Sequence, residues 1–364
     1  MTETHATTPA TSPATGLDAY TEALEQGGAP ILGHLVLYSV YDGRVTPDQL
    51  ALWVQQLGLD AAMLPGPIRA MDVFERVTGP KGVRASYPLA DPASTAPGGR
   101  RRRRPTDGTA VEALLMVRHV RRDTDRIVRH LVREVRDETQ TRLSYDARLA
   151  EIVFEYDRAP TAAIGDGSLA VKPNRAAIAG LPEAEQTRVQ DLLADLEDTY
   201  RQGCHFLTGD RLRGMIRAYV EGLDAIRIRP TGGVYFVTRE HSDTLSRLRE
   251  LVARMGEGSH LSRIPLPDQG EMREMITNAY ATRATSELQA LALDIAAARR
   301  DGLTGAAVQT LHKKFQTLQA SAAAHSELLS SSLEDTTQAM QTVQLQLISL
   351  LQSATDEDDE PEAD

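Results

Sequence analysis

The sequence predicts an α+β protein: two small α+β domains, then a long helical segment that forms a coiled coil. Three observations carry this. Hydrophobic spacing alternates between period 3.6 and period 2 as far as Leu266, as expected where helices and strands mix. Residues 207–238 pass from one period to the other without a break, which gives a helix followed directly by a β-hairpin. From Asp268 onward only helical spacing remains.

The helix–hairpin has the strongest local signals. Leu212, Met215, Ile216, Tyr219, Val220 and Leu223 make one apolar stripe. Thr208 suits an N-cap, Asp210 sits in the first turn where the dipole favours it, and Gly222 marks the end. Ile226 and Ile228 then alternate with Arg227 and Arg229 as a half-buried strand with one cationic face. Pro230-Thr231-Gly232-Gly233 supplies a turn, and Val234–Val237 returns as a second strand. This order closes a winged helix, and many other α+β domains as well.

Taken from the start, Met1–Gly16 is Thr/Ala/Pro-rich and is expected to be disordered. Residues 17–158 form the first domain. It holds a short helix at Leu17–Gln26, a strand at Ile31–Val40, a proline-led helix from Thr46 to Gly58 and a helix at Pro67–Val77. A Gly/Pro/Ser loop, residues 80–108, carries the run Arg100–Arg104. Val111–Tyr156 reads as a β-meander, although Ile127, Val128, Leu131, Val132 and Val135 also fit a helical stripe. Valine richness favours strand there. Residues 159–181 are read as a linker.

The second domain, 182–266, contains a helix at Pro182–Gly203, the helix–hairpin, a helix at Arg239–Met255 and a strand near His260–Ile264. Residues 268–352 are helices: Gly270–Arg300, a break at Asp301-Gly302, then Thr304–Gln352. In the last, Val308, Leu311, Phe315, Leu318, Ala322, His325, Leu329, Leu333, Thr336, Met340, Val343, Leu347 and Leu350 form a heptad seam with one stutter. Ala322, His325 and Thr336 make its middle weak. The acidic end, 353–364, is not expected to fold.

Composition excludes several classes. The net charge is −11, so contact with nucleic acid requires a local basic face. Cys204 is the only cysteine, which rules out an internal disulfide and cysteine-rich zinc sites. The N-terminus has no signal-peptide pattern, and the longest apolar run is too short to span a bilayer, so a cytoplasmic protein without membrane contact is expected. No phosphate-loop, dinucleotide, zinc-protease or nucleophile-elbow motif is present. No catalytic residue, metal ligand or cofactor is therefore assigned. His34, His119, His130, His205, His241 and His260 show no grouping, and Cys204 beside His205 reads better as a small buried hydrophobe than as a nucleophile.

Two constellations remain. Arg213 and Arg217 lie one turn apart on the polar helix face, ahead of Arg227 and Arg229. With Tyr235 they would form an arginine-and-aromatic face for nucleic acid, to which Arg100, Arg101, Arg102, Arg103 and Arg104 could add. The competing reading is a solvated face neutralised by Glu221, Asp224 and Glu240. The heptad residues point to a homodimer, with an intrachain hairpin against Gly270–Arg300 as the alternative.

The segments LGHLVLYSVYDG (32–43), MLPGPIRAMDVFERVTG (63–79), GGVYFV (232–237) and SRIPLPD (262–268) resemble an uncharacterised bacterial (actinobacterial and Bacillus-type) and phage protein family. The resemblance covers roughly residues 31–268. It implies an N-terminal strand–helix–helix unit, a Val/Arg-rich meander and a Gly-Gly hairpin, and brings no activity with it. Phage-borne members suggest a role near mobile elements, nucleic acid or phage conflict. The expected function is thus a non-catalytic, self-associating DNA- or RNA-binding protein whose acidic tail competes for the basic face. The alternative is a protein-binding coiled-coil scaffold; an enzyme ranks third.

Overall fold

The computed structural model describes residues 30–41, 43–89, 112–136, 142–229, 233–301, 305–329 and 334–358. Residues 136, 142–144, 147, 301, 305, 328, 329, 334, 335 and 351–358 are described in backbone only. The expected disordered start, the helix at 17–26, Arg100–Arg104, the turn residues 230–232, Leu333 and residues 359–364 lie outside the described residues. So does the side chain of Leu329.

In chain order the elements are β1 (Ile31–Ser39), α1 (Pro47–Gln56), α2 (Ala70–Thr78), β2 (Ala85–Pro88), β3 (Glu112–Arg122), β4 (Arg126–Arg136), β5 (Arg142–Tyr156) and β6 (Gly167–Pro173). Then come α3 (Arg175–Ala179), α4 (Glu183–His205), α5 (Gly209–Gly222), β7 (Ile226–Arg227), β8 (Tyr235–Thr238), α6 (Ser242–Arg254) and β9 (His260–Pro267). Three long helices end the chain: α7 (Gly270–Asp301), α8 (Gly305–Leu329) and α9 (Glu334–Asp358). Among the described residues no helix is long and apolar enough to cross a membrane.

The mixed α and β character is as expected, but the domain boundaries are not. One compact unit gathers Met1–Gly43, Gln49–Pro65 and Gly209–Asp364; the other takes Arg44–Asp48 and Gly66–Thr208. The predicted boundaries followed the order of the chain, whereas β1 pairs with strands near the far end of it.

In the second unit β2-β3-β4-β5-β6 is an antiparallel meander, and Ile127–Arg136 is strand. Two expected loops contribute to it. Ala85–Pro88 lies in the predicted disordered loop yet pairs with Glu112–Leu115, and Gly167–Pro173 lies in the predicted linker yet pairs with Ala150–Tyr156. β2 has only four residues in which to show a period, and β6 lies between Gly165-Asp166-Gly167 and Pro173, which read as loop. Helices α2 and α4 cover one face, packing Phe74, Val77, Val189 and Leu196 on Leu115, Ile127, Leu131, Ile152 and Phe154. The apolar stripe of α4 thus belongs with the meander rather than with the hairpin. The helices approach closely at Gly203, where a Cβ would stand 2.6 Å from Val73 Cγ1.

Period two also puts two arginines of β4 on this covered face. Arg129 donates to Thr78 Oγ1 (2.8 Å), pairs with Glu75 and lies 5.1 Å from the Phe74 ring centre. Arg133 donates twice to Glu185, at 2.7 and 3.1 Å, and the Tyr87 hydroxyl donates to the same carboxylate at 2.6 Å. Burial, then that hydrogen bond, pushes the Tyr87 phenol up to about 12. Removing one partner of such a pair would leave the other charge buried.

The first unit is built on a four-stranded antiparallel sheet of order β7-β8-β1-β9. Leu35 lies opposite Phe236 on one side and Ile264 on the other. Gly33 permits the close pairing, since a Cβ there would meet the Val237 carbonyl oxygen at 2.1 Å. On one face Leu32, Ile226, Phe236 and Leu266 pack with Ile276, Tyr280 and Ala284 of α7. At the β9 edge Pro265 is paired with His34 and Pro267 with Ile31.

The last three helices pack on one another. Ala284, Ala322 and Met340 belong to the cluster beneath β7, whereas Ala298, Val308 and Leu350 belong to the cluster farther along. Helices α7, α8 and α9 therefore run up, down and up. The predicted helix 304–352 is divided, and the seam's extra step of four, next to Ser330-Ser331-Ser332, falls between two helices of opposite direction. Val308, Leu311, Phe315, Val343, Leu347 and Leu350 are buried with Leu288, Leu291 and Ile295 of α7, and Leu318 packs at the margin. These residues were expected to face a second chain; their partners lie in the same one. Helix α9 also runs to Asp358, into the segment not expected to fold. Leu347→Ala should cost about 2–5 kcal/mol of stability. Its thermal midpoint should not depend on protein concentration; a midpoint that rises with concentration would place the seam between chains.

Candidate functional site

Helix α5 presents the predicted arginines because its stripe of Leu212, Met215, Ile216, Tyr219 and Val220 is buried, leaving Arg213, Arg217 and Glu221 on the polar side. Arg213 donates to the Val40 carbonyl at 2.6 Å and pairs with Asp210 at 2.7 Å. Arg217 is exposed, and its charge acts on the Tyr38 phenol. The Tyr38 ring stacks on Tyr235, with centres 6.4 Å apart and planes 18° from parallel. Arg227 covers the other tyrosine, its guanidinium 5.5 Å from the Tyr235 ring centre. It also donates to the Tyr235 hydroxyl at 3.3 Å and to Glu221 at 2.9 Å. Arg229, two residues on, is exposed.

The structure therefore brings Arg217 and Arg227 to one tyrosine pair, Arg217 from a helix and Arg227 from a strand. Arg213 anchors the same helix to the end of β1. Two expectations are corrected. Tyr235 was expected to offer a ring to a base, but it is only 2% exposed, so it packs and orients Arg227. Tyr38 was not among the expected residues, although its place in the β1 alternation with Val36 and Val40 is readable. Burial pushes the Tyr38 phenol up and the nearby Arg217 pulls it down, with a net shift upward. Of the neutralising partners expected in the competing view, Glu221 pairs with Arg227 and Asp224 is turned to Arg283, while Asp210, not among them, pairs with Arg213.

Behind this face lies a second polar cluster. Asp224 accepts from Ser321 Oγ at 2.8 Å, and its carboxylate lies 3.1 Å from His325 Nε2 and 3.3 Å from Arg283 Nη2. Arg283 also donates to the Ala225 carbonyl at 3.1 Å and to Glu287 at 2.9 Å. His325, 2% exposed, packs against the Tyr280 ring.

Other expected candidates separate. Among the described residues no group of three or more His, Cys, Asp and Glu could hold a metal. Burial pushes the Cys204 thiol up, which opposes nucleophilic use. A cleft of about 520 Å³ is lined by Glu155, Asp157 and Asp166 and would repel phosphate. Helix α9 runs roughly 27 Å from Met340, beneath β7, to Asp358, and residues 359–364 of the acidic end lie outside the described residues.

Residues 31–356 match the Family of unknown function (DUF6744). The chain belongs to that family. No curated protein and no solved structure matches it.

Burial pushes the Asp224 carboxyl up, but the His325 ring 3.1 Å away, the Ser321 hydroxyl and the Arg283 charge outweigh it, and the net shift is downward. A lowered folded value means stability that is full above the unfolded value of about 4 and is lost as pH falls through the folded one. Urea unfolding of the native protein and Asp224→Asn should thus differ most at neutral pH. The gap should narrow on acidification below about pH 4.

Proposed function

We propose that this chain is a non-catalytic cytoplasmic protein that binds nucleic acid by its phosphates, through Arg213, Arg217, Arg227 and Arg229. The observation that supports this most is the stacked Tyr38–Tyr235 pair, which carries the exposed Arg227 over one ring while the charge of the exposed Arg217 acts on the other. Clustered guanidinium groups displace phosphate counterions, and no base need be read. With Tyr235 buried, the expected contact is with backbone rather than with stacked bases. The bacterial and phage character implied by the sequence resemblance fits such a role.

A second reading is a protein-binding scaffold. Asp210 and Glu221 lower the charge of the face, and Leu293 and Leu345 stand outward on α7 and α9, 72% and 69% exposed. On this reading self-association or partner binding uses those outer helix surfaces.

Fluorescence anisotropy with a mixed-sequence DNA and an RNA oligonucleotide across a salt series separates the two. Binding through four phosphates should weaken with a log–log salt slope of about −3 for single strands. The Arg213/Arg217/Arg227/Arg229 quadruple alanine variant should lose most of both affinity and slope. Absence of binding at low salt would overturn the nucleic-acid reading.

A further inference from the structure

Asp224 is, among the described residues, the non-glycine residue with positive φ, at 53°. It stands just past the end of α5, a position where a left-handed residue closes the helix and where glycine, or asparagine, fits without a penalty. An aspartate there needs a reason, and its carboxylate supplies one. Three side chains from the long helices converge on it: Ser321 and His325 from successive turns of α8, and Arg283 from α7. Arg283 continues to the next carbonyl, Ala225, so that two consecutive residues of the connection are held.

This connection leads into β7, a strand of two residues at the edge of its sheet, paired only with β8. Two ladder positions and the Ile228 amide bond to the Val234 carbonyl do not define a strand on their own. Its other neighbour is α7, against which Ile226 is buried. Arg227, the residue over Tyr235, is three positions beyond Asp224.

We propose that Asp224, with Arg283, Ser321 and His325, forms a lock through which the terminal helices position β7 and so set where Arg227 is presented. These are positioning residues for the arginine face, and the functional part of the claim rests on the nucleic-acid reading above. The lock also gives the weak middle of the heptad pattern a purpose. His325 occupies a seam position, and Ser321 lies one turn before it; both face the carboxylate, and the His325 ring also packs on Tyr280.

The test is amide hydrogen exchange on the full chain, native and Asp224→Gly, followed by the anisotropy assay. Glycine accepts the backbone angle, so the substitution removes the carboxylate without adding strain. The Ile228 amide should lose protection by about tenfold, while the amides of Leu35 and Ile264 in the β1–β9 pair change less than about twofold. Oligonucleotide affinity should fall several-fold. Asp224→Asn, which keeps an acceptor for Ser321 and tolerates the angle, should recover part of both. Unchanged Ile228 protection in Asp224→Gly would overturn the lock, whatever the oligonucleotide does. Loss of Ile228 protection in a protein that binds no oligonucleotide would leave the lock standing and remove the nucleic-acid reading. Should Asp224→Gly fail to fold, Ser321→Ala carries the same exchange comparison.

Discussion

Pairing of β1 on both of its sides governs the first unit. Its neighbours are strands from beyond residue 234, and a strand between two others must satisfy both of its hydrogen-bonding edges. That register sets Tyr38 beside Tyr235 and lets Leu32 meet the start of α7. Loop closure over so many residues is entropically costly, so the sheet gains from the segment between them folding as a unit of its own. Arg133 and Glu185 stabilise that inserted unit through an ion pair that, with Tyr87, leaves few polar atoms of its core unsatisfied.

Local elements were legible in the sequence where periodicity was long enough to measure. The α5 stripe and α4 are in place because each repeats its period several times, whereas in β4 the spacing left helix open and valine richness alone pointed to strand. Partnership was less legible. An amphipathic stripe such as Val189–Leu196 states that a face must be buried but not against what, and it went to the meander. The heptad residues illustrate the same limit, because knobs at a and d positions satisfy a partner helix in cis or in trans equally well. The candidate site was legible in its arginines and not in Tyr38, whose relevance arises only from pairing across the sheet. Asp224 is legible only as a charge; nothing local distinguishes a left-handed aspartate from a solvated one.

The arginines of the two units answer different demands. Arg129 and Arg133 lie on a covered face and exist in pairs, where desolvation is offset by carboxylate partners. Arg217 and Arg227 remain at the surface, and Arg227 lies over the Tyr235 ring, a contact of small desolvation cost. Restricting a guanidinium before a ligand arrives reduces the entropy lost on contact.

The edges of the first sheet have one more consequence. Pro265 and Pro267 occur at alternate positions on β9, so both lack the N–H that would point away from β1. At the opposite edge β7 is two residues long and has α7 beside it. A sheet with a proline-blunted border on one side and a helix-shielded stub on the other offers no template for an incoming strand. Copies of this protein can crowd together without this sheet adding strands from a neighbour at either border.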